Sequence, residues 1–389
     1  MQKLIFIFSL WIFTTFSFMA QNNDANQIIQ SIQEKYAPDK RVVLFNIKTA
    51  VQEDGTVVLE GETSHREAYE ELTRLSGVDK TNVRLLPDEV IGEKEWGVIY
   101  NSVEKLHSSN SYATETITEV LLGMPVKLLD KKGGWRRVQT PEGYIGWVSG
   151  AIQPMTEADL AVYNKKPKIV VTSLYALSYE KPDVDSQTIS NLTVGNMLEL
   201  KGERGDFFHI AYPDGREAFL KKSDAKEQNK WLENIVLSRE SIVSASKKFM
   251  GIPYVWGGTS AQGLDCSGFS KLVYFLHGLI LPRDASQQVF NGKLIDETGD
   301  FGQLQLGDLV FFGTKASDEN PRERVVHVGI YIGNNRFIHA SDYIQIGSFD
   351  PADELFDEFN TNRYLRTKRI IGQEGTKGIE RIMENAFYK

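Results

Sequence analysis

The chain has 389 residues, of which 41% are hydrophobic and 25% are charged, and its formal net charge is −8. These values are ordinary for a folded protein, exclude collagen and wholesale disorder, and allow about two to four domains. The acidic balance argues against nucleic acid as a partner, because nucleic-acid binding needs a basic surface. The single cysteine, Cys266, excludes an intrachain disulfide and a multi-cysteine zinc site.

The N-terminus has the pattern of an export signal. A lysine in Met1–Lys3 precedes an uncharged and almost wholly apolar stretch from Leu4 to Phe18, and Ala20 is a small residue at a cleavage position. We expect residues 1–20 to be a signal peptide and the mature chain to be exported, periplasmic or extracellular, without a lasting membrane anchor. An uncleaved anchor is the alternative, although the stretch is shorter than the roughly 20 residues that span a bilayer.

Residues 21–92 are predicted to form a small α+β module. After a polar tether, the pattern predicts a helix, two strands joined by a hairpin turn, a second helix opened by a capping box, and a short last strand. The first helix is assigned to Ile28, Ile29, Ile32 and Tyr36, and the two hairpin strands to Val42–Val51 and Thr56–Glu62 around Glu53-Asp54-Gly55. The capping box is Ser64 with Glu67, and the last strand is Val83–Leu86. His65 is interpreted as a surface residue.

An internal repeat follows, with an offset of 72 residues and no gap. Short predicted strands are separated by Gly and by Pro-Glu-Gly or Pro-Asp-Gly turns, as in small β-barrels. The segments resemble bacterial SH3-like domains, which we place at residues 93–155 and 167–226, with Thr156–Lys166 as the link. The positions identical in the two copies are Gly123/Gly195, Leu128/Leu200, Gly133/Gly205, Pro141/Pro213 and Gly143/Gly215.

Cys266 has the surroundings of a nucleophile. Apolar residues with helical spacing follow it, and Asp265 precedes it as a cap, so the thiol is predicted to lie in a first helical turn. Unpaired N–H groups and the helix dipole at that end favour a thiolate. A buried, inert cysteine is the alternative, which the polar neighbours Asp265 and Ser267 disfavour.

Two histidines are predicted to lie side by side near the thiol. Val326–Ile332 alternates as a strand, and a three-residue turn that pairs Ile332 with Arg336 would place His339 opposite Gly329. His327 and His339 would then be diagonal neighbours on one face, within reach of a ring-to-ring hydrogen bond. The roles that follow are nucleophile for Cys266, base for His327 and orienting group for His339. A metal site on these three residues is the alternative, but no fourth ligand is evident.

Several motifs in this region resemble the NlpC-type cysteine peptidases, which cut bacterial cell-wall peptides. The resemblance implies an α+β fold in which a papain-like catalytic domain, residues 236–372, follows the two SH3-like barrels and the N-terminal module. It also implies a Tyr254 hydroxyl near the oxyanion site, while Trp256 is expected to pack the active-site loop. The matching motifs are Pro253-Tyr254-Val255-Trp256-Gly257-Gly258, Leu264-Asp265-Cys266-Ser267-Gly268-Phe269, Leu281-Pro282-Arg283-Asp284, Leu306-Gly307-Asp308-Leu309 and Val326-His327-Val328-Gly329-Ile330-Tyr331.

The arrangement is most similar to a subgroup that hydrolyses γ-D-glutamyl bonds to diamino acids in stem peptides with a free N-terminal L-Ala. There the first SH3-like domain supplies a Glu and a Tyr that hold the substrate amine, and Glu115 and Tyr144 match those positions. The resemblance further implies that Asp265 and Asp284 bind the amine or orient neighbours, and that Ser267 contacts the D-Glu carboxylate.

The sequence therefore predicts a secreted cysteine peptidase, a peptidoglycan hydrolase that cuts between γ-D-Glu and meso-diaminopimelate or Lys. Its expected partners are peptidoglycan-derived peptides of the type L-Ala-γ-D-Glu-diamino acid, and neither a cofactor nor a metal is implied. The alternative is a cell-wall-binding protein whose papain-like domain is inactive or acts as an amidase or acyltransferase.

Overall fold

A computed structural model describes residues 25–52, 56–75, 78–319 and 321–389. The predicted signal peptide and the tip of the first predicted hairpin lie outside these ranges. The chain divides into two compact units, one reaching to Glu93 and including Leu128–Lys132, the other formed by Lys94–Lys127 and Gly133–Lys389. None of the helices in the described ranges is long and apolar enough to cross a membrane.

The first unit is the predicted α+β module. A helix over residues 25–36 precedes two antiparallel strands, and a third strand pairs with the second in parallel. Ile29, Ile32 and Leu72 lie in its core. The strands and the second helix are Phe45–Val51, Val57–Thr63, Arg66–Thr73 and Val78–Leu85, followed by the 3₁₀ turn Glu89–Ile91.

The predicted capping box at the second helix is wrong. His65 is the N-cap, and its ring nitrogen accepts a hydrogen bond from the Ala68 amide. The Ser64 hydroxyl instead accepts from the Leu44 amide of the preceding segment. His65 therefore has a structural task that its interpretation as a surface residue overlooked, because a histidine nitrogen can replace the usual capping oxygen.

The two copies of the repeat form seven-stranded sheets with the same strand order. The three shared glycine pairs have matching positive φ angles, for example +82° at Gly123 and +90° at Gly195, which explains why both copies retain glycine there. The first copy has strands Trp96–Ile99, Val103–His107, Thr116–Leu121, Pro125–Lys132, Trp135–Gln139, Ile145–Ser149 and Ile152–Met155. The second has Lys168–Val171, Tyr175–Tyr179, Thr188–Thr193, Met197–Arg204, Phe207–Ala211, Glu217–Lys221 and Ala225–Glu227.

The predicted link between the copies is helical. Thr156 caps the helix Glu157–Lys165 and forms a reciprocal capping box with Asp159. After the second copy, the 3₁₀ turn Lys222–Asp224 and the helix Gln228–Glu233 lead into the last part of the chain.

The last part combines a six-stranded antiparallel sheet with helices, as the prediction of an α+β catalytic domain requires. Cys266–Phe275, here called the nucleophile helix, is buried along its whole length. In spatial order the sheet is Lys293–Asp296, Tyr364–Arg369, Leu309–Thr314, Arg324–Gly333, Arg336–Ala340 and Ile344–Ser348. The remaining elements are Arg239–Lys247, Thr259–Ser260, Gly263–Leu264, Leu279–Ile280, Ala285–Gln288, Glu358–Asn362, Glu380–Arg381 and Ile382–Glu384.

The first SH3-like copy and the catalytic part are held together by polar contacts along one strand. The Glu119 carboxylate accepts from the Thr259 amide at 2.9 Å, and the Arg283 guanidinium donates to the Thr118 hydroxyl at 2.7 Å. Leu121, at the end of the same strand, is part of the catalytic core. This strand, Thr116–Leu121, therefore packs against the catalytic part beside the nucleophile helix.

Candidate active site

Cys266 is the first residue of the nucleophile helix, where the sequence places it. Asp265 is the N-cap, with an extended backbone, and its carboxylate accepts from the Gly268 amide at 2.7 Å. The cap is favourable because it satisfies an N–H group that has no partner within the helix. The thiol is free, and the residue is only 8% exposed.

The surroundings of Cys266 favour the protonated thiol, in contrast to the stabilised thiolate that its helix position predicts. Burial, together with the Asp265 carboxylate, raises the pKa of the Cys266 thiol to about 12. The Val328 and Ser267 amides and Arg283 favour the thiolate, but they do not offset the free-energy cost of removing the thiolate from water. The thiol therefore keeps its proton until a base removes it.

The two histidines lie on neighbouring strands in the predicted register. Gly329 pairs with His339 across the strands Arg324–Gly333 and Arg336–Ala340, which we call the histidine hairpin. The turn differs from the prediction, because Gly333, not Ile332, pairs with Arg336. Asn334 and Asn335 form a two-residue turn with φ near +53° and +57°, and a bulge at Ile332 absorbs the extra residue.

A chain of polar groups extends from His327 through His339 to a carboxylate. His327 Nε2 and His339 Nδ1 are 2.9 Å apart, and His339 Nε2 is 3.7 Å from Asp357 Oδ2. The carboxylate favours the proton on His339 Nε2, so that Nδ1 can accept from His327 Nε2–H. In this tautomer, the Nδ1 of His327 is left as the basic nitrogen. Asp357 was missed, because it lies eighteen residues beyond His339 in an unremarkable acidic segment.

Both imidazoles are neutral at rest. Burial lowers the pKa of His327 well below its usual value, and His339 and Arg363 lower it further. Burial also lowers the pKa of His339, against the opposing effect of Asp357. A neutral His327 is the form that can accept the proton of a neutral thiol.

A cavity of about 590 Å³ opens beside the thiol. All six residues predicted to bind substrate line it together with Cys266, and the first SH3-like copy supplies two of them. The six are Glu115, Tyr144, Tyr254, Asp265, Ser267 and Asp284. Their roles towards a substrate stay predictions, but their predicted proximity is confirmed.

Two cross-domain hydrogen bonds lie in the cavity wall contributed by the SH3-like copy. The Tyr144 hydroxyl donates to the Asp284 carboxylate at 3.0 Å, and the Trp256 indole donates to Glu115 at 2.6 Å. Trp256 is 64% exposed and lines the cavity, so the expectation that it packs the loop is wrong. This end of the cavity is acidic and is suited to a cationic group.

A buried arginine organises the cavity floor. Arg283 is 2% exposed and forms an ion pair with Asp265 at 2.5 Å, and it also donates to Ser267 at 3.0 Å. Asp265 also accepts a hydrogen bond from the Gly257 amide, so most of the acceptor positions of its carboxylate are occupied by groups of the protein itself. These contacts favour an orienting role, the second of the two roles predicted for Asp265. Sequence reasoning gave Arg283 no role, although an arginine between Pro282 and Asp284 in a conspicuous motif was a usable signal.

Tyr254 has the properties of a hydrogen-bond donor. Burial raises the pKa of its hydroxyl, and the negative charges that Cys266 and Asp265 can carry raise it further. The phenol therefore stays protonated beside the thiol. Within the described residues, no group of three His, Cys, Asp or Glu side chains could hold a metal ion.

Comparisons with known proteins agree with this geometry. Residues 251–369 match the NlpC/P60 family, and residues 106–151 match the bacterial dipeptidyl-peptidase Sh3 domain. A γ-D-glutamyl-L-lysine dipeptidyl-peptidase of Bacillus cereus is 34% identical over 67% of this chain and 78% of its own. The chain belongs to the NlpC/P60 family. It is accordingly a cysteine peptidase with a preceding SH3-like domain.

Two further relatives support the NlpC/P60 assignment. A γ-D-glutamyl-L-lysine dipeptidyl-peptidase of Bacillus subtilis is 28% identical over 57% of this chain and 71% of its own. A crystal structure of an NlpC/P60 family protein from Bacillus cereus superposes with a TM-score of 0.59 and 25% identity, covering 70% of this chain and 99% of the other. The similarity thus includes the SH3-like part as well as the catalytic domain.

Proposed function

We propose that this NlpC/P60 peptidase is exported and hydrolyses the bond between γ-D-Glu and a diamino acid in peptidoglycan stem peptides with a free N-terminal L-Ala. The observation that carries the proposal is the single cavity in which Cys266 shares its walls with Glu115 and Tyr144 of the SH3-like domain. The names of the two Bacillus relatives support the bond type, since both are γ-D-glutamyl-L-lysine dipeptidyl-peptidases.

The reaction follows from the protonation states. His327 takes the thiol proton as the sulfur of Cys266 attacks the γ-carbonyl of D-Glu, and the resulting oxyanion can accept from the Tyr254 hydroxyl. His327 then gives its proton to the leaving amine of the diamino acid, which leaves a thioester. Water attacks the thioester with His327 as base, which releases the Ala-Glu dipeptide and restores the thiol.

The acidic end of the cavity explains the proposed requirement for a free amine. A protonated L-Ala amine would meet Glu115 and the Tyr144–Asp284 pair. In intact peptidoglycan, the same nitrogen is acylated by the muramyl lactyl group, so it carries no charge and is attached to a bulky sugar. We therefore expect peptides released from the wall to be better substrates than the wall itself.

The test is the identity of the products. Purified protein incubated with L-Ala-γ-D-Glu-meso-diaminopimelate should release free diaminopimelate and Ala-Glu, detected by mass spectrometry. Cys266→Ala should be inactive while keeping its fold, measured by circular dichroism. If wild type and Cys266→Ala both leave the peptide intact and both bind sacculi, the wall-binding alternative replaces the enzyme.

A further inference from the structure

One strand of the histidine hairpin carries a bulge just before the catalytic histidine. Phe312 pairs with His327, but the next residue along the partner strand, Gly313, pairs with Val325. Val326 is therefore the extra residue on its strand. Such bulges often lie beside active sites, where they change the direction of a side chain.

The bulge places Arg324 on the same face of the sheet as His327. Residues paired directly across two antiparallel strands point to the same side, and Thr314 pairs with Arg324 two positions beyond the Phe312–His327 pair. Without the bulge, residues three apart would point to opposite faces. Arg324 thus lies about 7 Å along the strand from His327, on its side.

Arg324 is an exposed residue with the charge of a ligand-binding group. It lines the cavity that contains Cys266. In the described part of the chain, no carboxylate lies within ion-pair distance of it, whereas Arg366 and Arg369 nearby are paired with Glu323 and Asp308. The cavity therefore combines the cationic residue Arg324 with an acidic end at the SH3-like domain.

We propose that Arg324 binds a carboxylate of the diamino acid that leaves. The inference rests on the proposed function, in which His327 protonates the leaving amine and the diamino acid lies on the face of His327. Arginine suits this task because its planar guanidinium matches a carboxylate. Two carboxylates supply this chemistry: the α-carboxylate of any diamino acid, and the distal carboxylate that meso-diaminopimelate has and lysine lacks.

The experiment compares Arg324→Gln with wild type on L-Ala-γ-D-Glu peptides that end in meso-diaminopimelate, in its side-chain amide, or in lysine. Arg324→Gln should lower kcat/KM on the diaminopimelate peptide about fivefold, because one charge-assisted contact at a partly open site is lost. Arg322→Gln is the matched control, since Arg322 is exposed on the same segment and does not line the cavity, and it should keep wild-type rates. Arg324→Lys should recover part of the loss.

The three peptides separate the two sources of the carboxylate. If the distal carboxylate is bound, wild type prefers diaminopimelate, and Arg324→Gln loses that preference without slowing the lysine or amide peptides. If the α-carboxylate is bound, Arg324→Gln slows all three equally. Equal rates for Arg324→Gln and Arg322→Gln on every peptide would overturn the inference while leaving the proposed function intact. A wild type that cuts none of the peptides would overturn both.

Discussion

The Cys266 thiol and the His327 imidazole, which we propose react together, are both buried, and burial favours the neutral form of each. The thiol has a raised pKa and the imidazole a lowered one, and each shift has desolvation as its largest cause. The proton must therefore move during the attack on the substrate. A preformed thiolate–imidazolium pair would instead require fixed charges strong enough to offset burial, and the Val328 and Ser267 amides together with Arg283 do not offset it at Cys266.

This charge state predicts the pH dependence of alkylation. A raised thiol pKa means that the thiolate of Cys266 becomes populated only as pH rises towards about 12, far above the ordinary value. The rate of alkylation by iodoacetamide should thus keep rising beyond about pH 9. The denatured chain is the control, because its only thiol is the same cysteine and should titrate near about pH 8.5. Alkylation of the folded protein at a constant rate between about pH 5 and 8 would indicate a preformed ion pair.

At this scale, the sequence could single out Cys266, His327 and His339 as candidates because nucleophile and base have recognisable local patterns. It could not identify Asp357, and although the motif around Arg283 was a usable signal, the contacts of Arg283 could not be predicted. Their positions depend on how distant segments meet, and no spacing rule in the sequence encodes that meeting. The burial that favours the protonated thiol of Cys266 is likewise a property of the fold, which the local sequence does not show.

Among the elements, the nucleophile helix depends on a close approach to the preceding loop. A Cβ added at Gly268 would lie 2.0 Å from the Gly258 carbonyl oxygen, a distance that backbone atoms cannot accommodate without moving. Glycine in the first turn therefore lets the helix and the loop pack together and fixes the position of the thiol.

Gly268→Ala should consequently lower both stability and activity. Overpacking of this kind costs about 1–3 kcal/mol, and the displaced helix should reduce kcat more than it changes KM. Denaturant melts and steady-state kinetics measure the two effects. The control is Gly134→Ala, where the added Cβ has no atom within 4 Å and both quantities should stay at wild-type values. Indistinguishable behaviour of the two variants would show that this approach is not tight.

The histidine hairpin shows what periodicity can and cannot establish. The alternation of apolar residues predicts which side chains share a face of each strand. The predicted register of His339 against Gly329 is confirmed. The turn was mispredicted because a bulge beside a two-residue turn gives the same register as a longer turn without one. The bulge at Val326 likewise leaves no mark in the sequence, although it decides where Arg324 lies.

At the scale of the whole molecule, the repeat has produced two SH3-like copies with unequal tasks. The first copy contributes Glu115 and Tyr144 to the catalytic cavity. In the second copy, Arg216 stands where the first has Tyr144, and it is paired with Asp214. The offset of the repeat could be read from the sequence. The docking of one copy against the catalytic domain was implied only by the family resemblance, because contacts between domains leave no local pattern in the sequence.

The measurement that tests the central claim most directly is the ratio of kcat/KM for L-Ala-γ-D-Glu-meso-diaminopimelate and its N-acetyl form. A contact between a protonated amine and Glu115 is worth about 1.5–3 kcal/mol, which corresponds to about 10- to 100-fold in favour of the free amine. Glu115→Gln should reduce this ratio mainly by slowing the free-amine peptide. Glu180→Gln removes an exposed carboxylate from the other SH3-like copy and should leave the ratio unchanged. Equal rates of wild type on the two peptides would contradict the account.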